Sequence, residues 1–266
     1  MDFVSHFHRE AQAFETAARR AVEGAAPLVP YCPGWTVSDL VVHLATVHRY
    51  VARVIRDRLS EQLDPTDLTF LGLPADHRGW PRPETAPNHG PAPARLIDWY
   101  AEGAAELETL FRDRAPDERV WTWSSERTVA FWLRIQCVEA AVHRWDAESA
   151  FGPARPVDTE PAADAVGHTF QVMAPARRGQ AAGPARSGRA VRVPADRRRG
   201  QLDGVLRRPG GPGHRRRAGT GPCDVELAGT ASDLMLFLWQ RIPADHIEVK
   251  GDSAMLDRYF ALMPPV

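Results

Sequence analysis

Cysteine is scarce. Cys32, Cys137 and Cys223 are three widely spaced thiols in 266 residues, too few for a disulfide framework, and this predicts a reduced, cytoplasmic protein. No Cys-x-x-Cys pair occurs, which argues against a structural zinc knuckle. No apolar run is long enough to span a membrane. The N-terminal Met1-Asp2-Phe3-Val4-Ser5-His6 has no basic region followed by an apolar stretch, so no signal peptide is expected. Lysine is nearly missing: Lys250 is the only one among 33 cationic side chains. The two cations differ physically, but so extreme a bias reads most simply as a GC-rich coding sequence. What is present is ordinary for a soluble globular chain: 44% apolar residues, 25% charged residues and a net charge of −1. The length allows one large domain or two ordinary ones.

Four segments read as amphipathic helices. The first is expected from Phe3 to Val22, with Phe3, Phe7, Phe14, Ala18 and Ala21 near one face. The second follows Pro33-Gly34-Trp35, with Thr36 as N-cap and Asp39 in the first turn, where an acid suits the helix dipole. Its Val37, Leu40, Leu44, Val47, Val51 and Val54 recur at steps of three and four. The third spans Arg95 to Arg112 and the fourth Arg127 to Ser149. A Pro-rich connection from Pro65 to Pro93 separates the second from the third. Together they predict a four-helix bundle with a long crossover over residues 1–153. Beyond Gly152-Pro153 a second region begins. Its end reads strand (Cys223 to Leu227), helix (Ala231 to Arg241), strand (His246 to Lys250) and helix (Ser253 to Leu262). The expected fold class is therefore α + (α+β), with a smaller α+β domain over 154–266.

Residues 174–222 are expected to be irregular. They hold 13 Arg and 2 acids, so the rest of the chain carries −12. A flexible tail and a nucleic-acid patch are two readings of such a run. The run has no aromatic residue to stack on bases, so no nucleic-acid partner is expected. A third reading is a coding accident. Gln201-Leu202-Asp203-Gly204-Val205 can be written CAG TTG GAC GGT GTC, and a one-base shift reads Ser-Trp-Thr-Val, a plausible strand. We expect a local frameshift here. An unambiguous in-frame resequencing read shared by relatives would refute it.

The chemistry is concentrated on the fourth helix. Glu139 and His143 are four residues apart, and a turn of about 100° per residue stacks them on one face. Gln136 and Asp146 continue that stripe. On the second helix His43 borders the apolar face beside Leu40, Leu44 and Val47, from where a bundle lets it look across at the fourth. Two histidines and a carboxylate hold a divalent metal while leaving a coordination position open. The same residues have plainer readings: a Glu/His pair at this spacing is often a solvated helix face, and His43 alone could be a hydrogen-bonded core histidine. His48 lies about 140° around the helix from His43 and is not expected as a co-ligand. His6 and His8 read as surface residues, Cys32 as a partly buried inert thiol near the second helix, and Cys137 as pointing away from Glu139.

The run Cys32-Pro33-Gly34-Trp35-Thr36-Val37-Ser38-Asp39-Leu40-Val41-Val42-His43-Leu44 resembles the second helix of mycothiol-dependent maleylpyruvate isomerases and their DinB-like relatives. Glu139-Ala140-Ala141-Val142-His143-Arg144-Trp145-Asp146-Ala147 resembles their second signature. Gly229-Thr230-Ala231-Ser232-Asp233-Leu234 and Ile247-Glu248-Val249-Lys250-Gly251-Asp252 are similar to the family's C-terminal domain, a sterol-carrier-like fold. The resemblance fails in the Arg-rich stretch, where the family has strands. It implies a divalent metal, usually taken as zinc, on His43, Glu139 and His143. It also implies mycothiol as thiol co-substrate and a small-molecule substrate. For maleylpyruvate, a thiolate adds to the cis double bond, rotation follows, and expulsion of the thiol leaves the trans isomer. Asp146 or Gln136 would orient a ligand. Relatives need not share a substrate, so a thiol transferase that conjugates electrophiles stands beside the isomerase. A non-catalytic metal or small-ligand binding protein, or a pseudo-enzyme, is the rival from another class.

Overall fold

The computed structural model describes residues 1–175, 191–193, 204–205 and 225–262. They fall into two units, Met1–Arg155 and Pro156–Val266.

The first unit is built on four helices: α1 (Phe3–Arg19), α2 (Val37–Arg56), α3 (Ala94–Asp113) and α4 (Val129–Ser149). Each of three starts on a side chain that satisfies an otherwise orphaned backbone N–H. Asp2 accepts from the Ser5 amide, Thr128 accepts from the Phe131 amide, and Thr36 forms a reciprocal capping box with Asp39. Asp39 also accepts from the backbone and side-chain amides of Asn88, tying the far end of the long connection to the start of α2.

Cross-helix contacts give the helix directions. Cys137 bonds the Phe3 carbonyl and Arg144 bonds Glu10, so α1 and α4 run the same way. Arg49 bonds the Trp99 carbonyl and Arg56 pairs with Glu106, so α2 and α3 also run the same way. Rings pair His43 with His143 and Tyr50 with Trp132, which makes α2 antiparallel to α4. A parallel α2–α3 pair requires the chain to return the full length of the bundle, and residues 57–93 do so. The interior is filled by Phe7, Phe14, Leu40, Leu44, Leu96, Tyr100, Leu107 and Phe131, all essentially inaccessible. The Tyr100 hydroxyl donates to the Ala11 carbonyl at 3.1 Å, so the buried phenol is satisfied.

The second unit opens with α5 (Thr159–His168), which continues into a π-helical turn at Thr169–Met173. Its sheet has the order β2-β1-β3-β4, from β1 (Val191–Val193), β2 (Gly204–Val205), β3 (Val225–Ala228) and β4 (Glu248–Gly251). β1 pairs antiparallel with β2 and parallel with β3, and β3 pairs antiparallel with β4. Val225 and Leu227 alternate inward along β3. Two more helices, α6 (Ala231–Leu238) and α7 (Ala254–Leu262), complete the unit, α6 capped by Thr230. Phe237 meets Phe260 edge-on at 5.2 Å. The architecture is thus a helical unit followed by an α+β unit. Two short strands, β1 and β2, lie within the stretch expected to be irregular. Cys223 and most of the Arg-rich run, including three of the five residues on which the frameshift reading rests, lie outside the described residues.

Candidate metal centre

His43 sits two turns into α2, beyond the capping box that fixes where the helix begins. Glu139 and His143 sit one turn apart on α4. Because α2 and α4 are antiparallel neighbours, the three side chains converge, each offering one ligand atom with all of these atoms within 4.8 Å of one another. The imidazoles of His43 and His143 meet edge to face at 5.0 Å between centroids. His143 Nε2 lies 3.4 Å from Glu139 Oε2, the edge of a tetrahedron with bonds of about 2.1 Å. His143 is buried, whereas His43 and Glu139 are half-buried, so the cluster has a closed side and an accessible one.

A second layer stands behind it. His143 Nδ1 is 3.0 Å from Asp146 Oδ2, and Asp146 is fully buried. A carboxylate only accepts, so Nδ1 carries the proton and Nε2 is directed at the cluster. The Cys32 thiol donates to the same Asp146 oxygen at 3.4 Å. Burial alone would depress the basicity of His143, but the hydrogen bonds and charges of Asp146 and Glu139 override it and raise its pKa to about 9. The pocket therefore favours a positive charge at this ring. The Trp35 indole also lies against His43, 5.1 Å away and tilted by 55°.

The remaining sequence candidates lie elsewhere. His48 faces the bundle core, against Phe7 at 5.3 Å and Tyr100 at 5.4 Å. Burial lowers its pKa to about 3. His6 is not a surface residue: it is 1% exposed, because α4 packs along α1 on that side. His8 remains partly exposed and pairs with Glu108 at 2.8 Å. Gln136 is buried with its Oε1 unpartnered. Cys137 donates to the Phe3 carbonyl, away from the cluster. Residues to which the sequence reading gave no role also bear on the site, Trp35 above all. Its signal was the Pro-Gly-Trp turn ahead of the N-cap.

These features define a class: a four-helix unit with a two-histidine, one-carboxylate donor set built across two antiparallel helices, followed by an α+β unit. Residues 25–148, from ahead of α2 almost to the end of α4, match the family described as mycothiol maleylpyruvate isomerase N-terminal domain. The fold is also that of a solved structure described as the crystal structure of the mycothiol-dependent maleylpyruvate isomerase. That protein is 13% identical, with 94% of this chain and 93% of that one covered at a TM-score of 0.56. A histidine-to-alanine mutant of the mycothiol-dependent maleylpyruvate isomerase matches over the same shares, at 13% identity and a TM-score of 0.54. No curated protein sequence matches significantly. No helix among the described residues is long and apolar enough to cross a membrane.

Proposed function

We propose that this protein is a divalent-metal-dependent enzyme that works with a thiol co-substrate, mycothiol, as an isomerase or S-transferase on a small electrophilic molecule. The observation that carries the reading is the convergence of His43, Glu139 and His143 from two helices. The donor set fits the group: two imidazole nitrogens and one carboxylate suit zinc, and three protein ligands leave a position for a small molecule. Bound there, the cation would supply a Lewis-acid site at which a thiol is held as thiolate near neutral pH. His43 and His143 would serve as neutral ligands and Glu139 as the anionic one. Asp146 holds the Nδ1 proton of His143, which leaves Nε2 as the nitrogen that would exchange its proton for the cation. The half-buried side, at His43 and Glu139, is where a thiol and its partner would enter. The likeness to maleylpyruvate isomerase supports the isomerase reading, and a conjugating thiol transfer uses the same parts.

The test is the metal content of purified protein, wild type beside His143→Ala, followed by turnover with added mycothiol. About one zinc per chain, lost in the variant, together with mycothiol-dependent conversion of an electrophile, is the expected result. Absence of metal even after zinc is supplied would overturn the reading. Stoichiometric metal without thiol-dependent turnover would instead support a binding protein on the same scaffold.

A further inference from the structure

The turn before α2 reaches His43 directly and His143 by way of Asp146. The Trp35 amide donates to the Cys32 carbonyl at 3.0 Å, the Cys32 amide to the Val29 carbonyl at 3.2 Å, and the Val29 amide to the Trp35 carbonyl at 2.9 Å. Gly34 takes a positive φ of 81° that closes the turn, and Leu28 bridges Thr36 immediately after it. The backbone is therefore pinned on both sides and runs directly into the buried N-cap. Each end of this turn sends a side chain to the site. Cys32 donates to Asp146 Oδ2, the oxygen that also accepts from His143 Nδ1. Trp35 lays its ring against that of His43, which also meets the ring of His143.

We infer that Cys32 and Trp35 are positioning residues of the metal centre, one acting on each histidine. The inference rests on the metal reading proposed above. Trp35 limits rotation of His43, a half-buried ligand, by packing against its ring. Cys32 orients the Asp146 carboxylate, and through it the tautomer and aim of His143. The thiol does this as a neutral donor, so it adds no charge to the site. Rigid placement of ligands is what separates a site held ready for a metal from one that must assemble around it.

The test uses the full chain loaded with Co(II), following visible absorption and affinity by titration, with thermal unfolding of the metal-free protein as the control for folding. Wild type should bind one cobalt. Trp35→Ala and Cys32→Ala should each weaken binding by on the order of tenfold and shift the absorption bands, as loss of outer partners does. Trp35→Phe, which keeps a ring face, and Cys32→Ser, which keeps a donor, should recover most of both. A merely structural role would lower the unfolding temperature without moving the cobalt spectrum. If Trp35→Ala does not fold, Trp35→Leu takes its place, keeping apolar bulk without the ring. Wild-type affinity and spectrum in folded Trp35 and Cys32 variants would overturn the inference while leaving the metal reading intact. Failure of the wild type to bind cobalt would sink both, and is seen separately.

Discussion

His143 Nδ1 and Asp146 Oδ2 are 3.0 Å apart on the same helix, one turn apart, with the carboxylate wholly inside the protein. The pair leaves one nitrogen of a buried imidazole committed and the other aimed at Glu139 and His43. Asp146→Asn removes the charge but keeps the shape. We expect it to weaken zinc binding by about tenfold to a hundredfold, measured by competition with a chelator of known affinity. Unchanged affinity would mean that the ring is oriented by its packing alone.

His48 should make the protein acid-sensitive. Its ring is fully buried, and neither nitrogen has a hydrogen-bond partner. Burial is the main reason its pKa falls to about 3, against opposing help from Glu139, with His43, His143 and Arg49 pushing the same way as burial. A folded pKa below the unfolded value of about 6.5 means that the unfolded chain takes up the proton first. Its stabilising contribution is thus complete above pH 6.5 and is lost as pH falls toward 3, by at most about 5 kcal/mol. Urea midpoints at pH 7 and pH 4.5 should differ less in His48→Leu than in wild type. Equal differences would show that His48 does not govern the acid limb.

Arg144 lies under α1 at 2% exposure, its Nε donating to Glu10 at 2.8 Å and its Nη1 to Glu148 at 3.0 Å. Arg144→Leu strands the Glu10 carboxylate in the interior and should cost about 3–5 kcal/mol. Replacing both, as Glu10→Leu with Arg144→Leu, should recover most of that loss, because no buried charge is then left alone. Denaturant unfolding of the two single variants and the double variant decides it. Additive losses would mean that the two residues do not act as a pair.

Gln136 lies three residues before Glu139, 1% exposed and with Oε1 unsatisfied. A buried acceptor without a partner is a cost that an apolar side chain of similar length removes. Gln136→Met should leave the melting temperature unchanged or raise it by a few degrees, equivalent to about 1 kcal/mol or less. A clear drop would show that the amide has a partner in solution, such as an internal water.

Several features were legible because their causes are local. Thr36 and Asp39 announce the start of α2 through a capping box confined to four residues. Glu139 and His143 share a face because helical geometry leaves them no choice. The period of the apolar residues shows α1 to α4 and the two short helices near the C-terminus, with ends within a few residues of those formed. His6 was misread for the opposite reason. Its neighbours along α1 do not reveal that α4 covers it, since that depends on Arg144 and Glu10, which are 134 residues apart.

By itself the sequence determined the elements, their caps and which side chains share a helical stripe, because these follow from interactions within one or two turns. It also supplied the donors: a histidine on α2 and a Glu/His pair on α4. Only the tertiary structure decided that α2 and α4 run antiparallel as neighbours, so that His43 meets Glu139 and His143; that His48 points elsewhere already followed from its place around the helix. Only the tertiary structure set Trp35 against His43 and Cys32 against the Asp146 carboxylate that holds His143. The physical reason is the same in each case: burial and convergence are properties of packing between segments distant in the chain, and no local preference encodes them.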